Sequence, residues 1–312
     1  MLPLIRASVF FRLGCAAVLP ALAAVCLAAP ALAQEKYREP DFPVPPEAAP
    51  QEGQPAGTLE RFQWKSTGVY PGTIRNVQVY VPAGFKADGS AALMVFQDGH
   101  AYASKKGDFK TPLVFDTLIA RGEMPPVVGV FIDPGVFADE LPGETGWDTQ
   151  KQFKSNRSVE YDTPNGDYAR FLETEILPEI AKKWPFSSDP EQHAICGLSS
   201  GGICAFTAAW ERPDLFRKVV SHVGSFTNIR GGYHYPWLLR KEEPKPLRVF
   251  LQGGAHDLDN AHGNWPLANQ MMANSLAFRK YDHKFVFDER GAHSGKCGGS
   301  ILPDTLRWLW RK

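Results

Sequence analysis

Two kinds of apolar pattern alternate along most of this chain: short unbroken runs, and longer segments whose apolar residues recur every three or four positions. The runs are Leu93-Met94-Val95-Phe96, Val127–Ile132, Ala194-Ile195-Cys196, Val219–Val223, Val249-Phe250-Leu251 and Phe285-Val286-Phe287. Each fits a strand buried on both faces, as in a parallel sheet. The periodic segments predict helices over Thr111–Arg121, Tyr168–Trp184, Gly202–Arg212, Trp265–Tyr281 and Pro303–Trp310. In the second of these, Phe171, Ile176, Leu177, Ile180 and Ala181 make one buried face. Thr58–Trp64 and Val77–Val81 half-alternate and predict an antiparallel opening, joined through a turn at Pro71-Gly72. Eight strands with interleaved helices predict an α/β fold whose mostly parallel sheet is covered on both faces.

The pattern changes before residue 58. Arg6 and Arg12, an apolar stretch over Leu13–Ala29 and Ala31-Leu32-Ala33 form the three parts of a secretory signal peptide, with cleavage expected after Ala33. Neither Cys15 nor Cys26 sits in a lipobox. Residues 34–57, rich in Pro and Glu with little to bury, read as a flexible or polyproline-like leader. The expectation is an exported protein, periplasmic or secreted, with one domain over Thr58–Lys312.

Charge narrows the partners. Lys plus Arg and Asp plus Glu each number 34, with signs intermixed, which argues against nucleic acid or an anionic membrane as the main partner. A small-molecule or carbohydrate partner stays open. Past the expected cut three cysteines remain, Cys196, Cys204 and Cys297; an odd count leaves at least one thiol unpaired, and no C-x-x-C spacing suggests zinc or redox chemistry. Export permits a disulfide, and Cys196 and Cys297 could approach each other, but packing as small buried hydrophobes suits them better.

The chemistry centres on Gly197-Leu198-Ser199-Ser200-Gly201, a Gly-x-Ser-x-Gly motif between an apolar strand and a predicted helix. That setting lifts a serine hydroxyl above the sheet on a tight turn, and the helix N-terminus places N–H groups where an oxyanion would form. Ser199 is the expected nucleophile and Ser200 an oxyanion donor. His293, after the last predicted strand in a small-residue loop, is the expected base. The acid should fall between them, in Gly253-Gly254-Ala255-His256-Asp257-Leu258-Asp259. Asp257 is preferred to Asp259 on loop position. His256, Asp257, Asp259 and His262 also permit a metal-site reading, disfavoured because they lack fixed helical spacing. A second oxyanion donor is expected after the third strand, at Gly99 or His100. Ordered this way, the elements describe the α/β-hydrolase fold.

The motifs Asp98-Gly99, Gly-Leu-Ser199-Ser-Gly-Gly, Gly-x-x-Asp257 and Gly-x-His293, with Ala209–Arg217, Val220–Phe226 and Asp257–Pro266, resemble the esterase D / enterochelin esterase-like family of serine esterases. The resemblance runs from about Thr58 to the C-terminus. It implies an α/β-hydrolase fold, no metal or other cofactor, and hydrolysis of siderophore trilactones, feruloyl or acetyl sugar esters, or S-formylglutathione. Cys297 departs from it, standing where a polar residue is expected. An aromatic insertion, Asn228–Trp237, falls where these enzymes build a lid; Trp237 and Trp265 are candidate substrate contacts, equally readable as packing. Arg157 and Glu160-Tyr161, in a stretch from Phe137 to Asn165 that reads as a long loop, are candidates for an acidic or hydroxylated substrate. Acyl transfer to a sugar, or non-catalytic carbohydrate or siderophore binding, are the alternative functions.

Overall fold

The computed structural model describes residues 37–143 and 146–312, so the expected signal peptide lies outside the described residues. Contacts divide the chain at Tyr37, and the unit Arg38–Lys312 holds all the elements below. Strand β1 (Thr58–Lys65) pairs antiparallel with β2 (Ile74–Val81) across the expected turn. Strands β3 (Ala92–Gln97) and β4 (Val127–Ile132) are followed by two-residue strands β5 (Val136–Phe137) and β6 (Lys154–Ser155). Then come β7 (His193–Leu198), β8 (Lys218–His222) and β9 (Arg248–His256). A small hairpin of β10 (Asp259–Asn260) and β11 (Gly263–Asn264) precedes the last strand, β12 (Asp282–Ala292). The main sheet runs β12-β9-β8-β7-β3-β4-β2-β5-β6, with β1 added on β2. Strands β4, β3, β7, β8, β9 and β12 are mutually parallel. All eight predicted strands are present; β5 and β6, too short to leave a pattern, extend one edge.

Helices follow the strands: α1 (Gly99–Ala103) and α2 (Thr111–Ala120) after β3, and α3 (Trp147–Gln152) and α4 (Arg157–Asp162) around β6. Next are α5 (Asp167–Phe171), α6 (Leu177–Lys183) and α7 (Ser200–Glu211). The last are α8 (Tyr235–Lys241), α9 (Trp265–Phe278), α10 (Lys296–Ser300) and α11 (Leu302–Trp310). Alternate residues of the central strands serve opposite faces. Leu93, Val95 and Ile195 join Ala205, Phe206 and Leu276 on one side, while Met94, Phe96 and Cys196 join Val114, Phe115 and Leu306 on the other. That two-sided burial is why these strands read as continuous apolar runs.

Three sequence expectations meet a different structure. The helix predicted over Tyr168–Trp184 is α5 and α6 joined by a π-helical turn, Leu172–Ile176. Phe171 and Ile176 are five apart and both fully buried. The wider turn brings both to the core, where a uniform α-helix spaces such neighbours by three or four. Second, the supposed long loop from Phe137 to Asn165 contains β6, α3 and α4. Its Glu160 carboxylate accepts from Arg75 Nη1 at 2.6 Å and Nη2 at 3.1 Å, both side chains wholly buried. Removing one partner of such a pair costs about 3–5 kcal/mol. Local periodicity carries no trace of an anchor 85 residues away. Third, the leader is docked over its described part. A 3₁₀ turn at Pro46–Ala48 buries Glu47, which accepts from Arg307 at 2.6 Å. Gly57 N–H donates to Asp116 at 2.7 Å. Composition registered the scarcity of apolar residues here but not the polar partners waiting on the domain.

Candidate active site

The first parallel connection, β3 to β4, runs to one side of the sheet, and the next, β4 to β7, crosses back. The carboxyl ends of β3 and β7 therefore border a crevice, the place where open α/β sheets bind ligands. Ser199 follows β7 and Asp98 follows β3. The loops after β8, β9 and β12 complete the rim.

Ser199 has φ 56° and ψ −122°, a conformation that L-residues avoid at a cost of about 1–3 kcal/mol. Its N–H donates to His222 O at 2.9 Å and its carbonyl accepts from Ser225 N–H at 3.0 Å, so the neighbouring strand end holds the turn. Gly197 is required sterically, because a Cβ there would lie 2.2 Å from the Gly201 carbonyl oxygen. The result is a half-exposed hydroxyl at the N-terminus of α7.

Three side chains from three sheet ends converge. Ser199 Oγ lies 2.8 Å from His293 Nε2, and His293 Nδ1 lies 2.5 Å from Asp257 Oδ1. The same carboxylate oxygen accepts the Leu258 N–H at 2.7 Å, and the Asp257 side chain is fully buried. An ionised carboxylate can only accept, so Nδ1 carries a proton and Nε2 presents its lone pair to the serine. Asp259 is exposed and paired across the β10–β11 hairpin with Asn264. Geometry thus separates the two aspartates: Asp257 faces the imidazole.

The expected oxyanion donors divide. Ser200 and Gly99 are the first residues of α7 and α1, so their N–H groups fall outside the helical ladders. Gly99 packs against the β4 backbone, where a Cβ would approach Phe131 C to 2.4 Å. His100 corrects the expectation. Its N–H donates to Asp133 Oδ1 at 2.9 Å, and its Nδ1 lies 2.8 Å from the same oxygen. Burial works against the charged ring, but the Asp133 bond outweighs it and raises the His100 pKa. That backbone donor is already spent.

Arg157 is also reassigned. Its fork is bidentate on Asp98, Nε to Oδ1 at 2.8 Å and Nη2 to Oδ2 at 2.7 Å. Asp98 occupies the left-handed region, φ 54° and ψ 51°. Arg157 therefore fixes the strained turn that sets Gly99, and its planar fork faces the protein's own carboxylate. Glu160 is spent on Arg75, and Tyr161 is fully buried beneath Arg157. Ser200 is buried and Ser199 is partly exposed, which leaves Ser199 as the accessible serine of the pair.

The two tryptophans differ. Trp237 is exposed on α8 with the Lys241 ammonium 3.8 Å from its ring centroid, while Tyr235 of the same insertion is buried and donates to Thr207 at 2.7 Å. Trp265 is 2% exposed, so a substrate cannot stack on it. Its Nε1–H donates to Ser225 Oγ at 3.1 Å, and its ring stands edge-on to His293 at 5.9 Å. Ser225 Oγ in turn lies 3.3 Å from Ser199 Oγ. Sequence reading overlooked Ser225. Its signal was the Gly224-Ser225 step just beyond β8, which pairs with β7.

Beside His100 lies a cleft of about 350 Å³ lined by Arg61, Gln78, Lys105 and Lys106 among others, and among the described residues its lining holds no carboxylate. Among the described residues Cys196, Cys204 and Cys297 are buried and form no disulfide, and burial pushes the Cys297 thiol up to about 11. Among the described residues no helix is long and apolar enough to cross a membrane.

Comparison with known proteins assigns a family and a fold. The model of the family described as "Putative esterase" matches residues 69–296. The iron(III) enterobactin esterase of Dickeya dadantii is 26% identical over 280 residues, covering 81% of this chain and 55% of that protein. The chain spans about half the length of such curated relatives. The crystal structure of the Shigella flexneri enterobactin esterase superposes with a TM-score of 0.62 at 25% identity, covering 81% of this chain and 59% of that one. A ferulic acid esterase of the fungus Anaeromyces mucronatus superposes with a TM-score of 0.61 at 16% identity, covering 89% and 98%. At that identity the likeness is one of fold.

Proposed function

This chain belongs to the "Putative esterase" family, and from that premise we propose that it hydrolyses carboxylic esters through an acyl-enzyme on Ser199. The observation that carries the reading is the continuous chain Ser199 Oγ–His293 Nε2, His293 Nδ1–Asp257 Oδ1. His293 takes the hydroxyl proton as Ser199 Oγ bonds to the ester carbonyl carbon. The N–H groups of Ser200 and Gly99 stabilise the oxyanion, a contribution of about 3–4 kcal/mol per donor in such sites. The tetrahedral carbon expels the alcohol, which receives the proton from His293. Water, deprotonated by the same ring, then releases the acid and restores Ser199. Asp257 holds the ring and favours its protonated form throughout.

The substrate we favour is an ester carrying acidic or polyhydroxylated aryl groups. Supporting this are the Arg61, Lys105 and Lys106 side chains along the cleft beside the oxyanion loop and the enterobactin and ferulic acid esterases among similar proteins. A basic cleft with low-dielectric walls concentrates anions near a reacting centre. The signal-peptide pattern of the N-terminal residues supports a periplasmic or extracellular site of action.

The test is direct. Ser199→Ala should lose at least about 10⁴-fold in turnover of p-nitrophenyl acetate and all labelling by a fluorophosphonate probe. Full turnover in that variant would remove the mechanism. Among natural esters, enterobactin and feruloylated arabinose should be cleaved faster than acetylated xylan.

A further inference from the structure

The base loop, Gly291-Ala292-His293-Ser294-Gly295, has a glycine at each end and small residues around the imidazole. Little in the loop itself can fix the ring. The ladder between β12 and β9 breaks after Asp288 and resumes only at Ala292, opposite His256. The Ala292 N–H turns away to the segment that precedes the domain, where it donates to Glu39 Oε1 at 2.8 Å. Ser294 Oγ donates to the other oxygen, Glu39 Oε2, at 2.5 Å. One carboxylate thus holds both sequence neighbours of His293. The segment is secured on either side, by Asp41 accepting from Lys296 at 2.9 Å and by Phe42 beneath the Arg290 guanidinium, 5.0 Å to the ring centroid.

We propose that Glu39 is a positioning residue for His293: its carboxylate, delivered from 253 residues away, sets the height and tilt of the imidazole against Ser199. The proposal rests on the reading of His293 as the base. Residue 39 precedes the region matched by the family model, which begins at 69, so this support comes from outside the family's own domain. Both neighbours of the base are bonded to one rigid, planar group. The loop therefore cannot rotate about the 292–294 axis without breaking a charge-assisted hydrogen bond. A displacement of about 1 Å at a reacting group costs up to about a hundredfold in rate.

The experiment measures the second-order rate of fluorophosphonate labelling at Ser199 in the full chain, at a temperature where circular dichroism shows each variant folded. Glu39→Ala should label about tenfold more slowly than wild type, with kcat for p-nitrophenyl acetate falling in step and KM within twofold. Glu39→Gln should recover to within about threefold, because its amide oxygen still accepts from Ala292 and its NH₂ can donate to Ser294 Oγ. Asp41→Asn, which loosens the segment but not the bracket, should label like wild type. Should Glu39→Ala unfold, Ser294→Ala removes one arm instead and should slow labelling by about threefold. A wild-type rate in Glu39→Ala, with or without a lower melting temperature, overturns the proposal. Equal slowing in Glu39→Gln and Asp41→Asn also overturns it, since the segment would then act only as a general brace. Absence of any Ser199 adduct in wild type overturns the reading of His293 and this proposal together, whereas an adduct with no Glu39 effect removes only the latter.

Discussion

The β7–α7 turn and the β12–α10 loop hold the two partners of the proposed proton transfer, Ser199 and His293, in opposite ways. At the turn, six consecutive residues from Gly197 to Gly202 fix Ser199, through a strained backbone and glycines that permit close approach. At the loop, nothing adjacent to His293 fixes it; Asp257, Glu39 and the edge of Trp265 do so from three distant segments. The position of Ser199 is a local, steric matter, and that of His293 is a tertiary, polar one. Mutations in the first region should therefore act through folding and geometry together, while mutations in the second should alter rate with the fold intact.

The largest test of this contrast is Asp257→Asn, expected to lower kcat by about 10³–10⁴-fold while the melting temperature changes little. Asp259→Asn should leave kcat within about twofold, and a comparable loss in both would mean that the hairpin, not the carboxylate, orients the ring. Gly197→Ala should act on the other side of the comparison. Its Cβ would meet the Gly201 carbonyl oxygen at 2.2 Å, so urea denaturation should show a loss of about 3 kcal/mol and labelling of Ser199 should fail. Stable, active Gly197→Ala protein would show that the turn is less constrained than its geometry implies.

Smaller effects follow from Ser225. Trp265 Nε1–H can only donate, so Ser225 Oγ accepts from it and has its own proton to offer Ser199 Oγ. That directs the Ser199 proton towards His293. Ser225→Ala should reduce kcat by about tenfold with KM unchanged, read in steady-state assays.

The smallest effect concerns pH. His222, fully buried behind the nucleophile turn, has its pKa pushed down to about 3 by burial, with Tyr102 OH 2.9 Å from Nδ1. Its ordinary value is 6.5, so the unfolded chain binds a proton that the folded chain rejects. Its contribution to stability is full above pH 6.5 and is lost as pH falls towards 3. Urea midpoints should decline by the equivalent of about 2 kcal/mol between pH 7 and pH 4.5, and less in His222→Gln, which cannot titrate.

The parts of the site that sequence made legible are those whose chemistry is local. Ser199 lay between a strand and a helix in a motif that needs no partner to be recognised. His293 and the Asp257–Asp259 pair could be placed at strand ends by chain order and loop position favoured Asp257, but which carboxylate turns inward is visible only in the fold. Trp265, Arg157 and His100 looked available because their residue types suit ligands. Each is engaged by a residue far along the chain: Ser225, 40 positions away; Asp98, 59 away; and Asp133, 33 away.

By itself the sequence determined the α/β layering and pointed to Ser199 and His293 at the ends of their strands. Apolar periodicity and a strained turn are properties of neighbouring residues. The tertiary structure decided which polar groups face the crevice and which are consumed inside it, and it brought Glu39 to the base loop. Hydrogen bonding over long separations is settled only when the sheet order is in place, and no local pattern records which partner a buried carboxylate will meet.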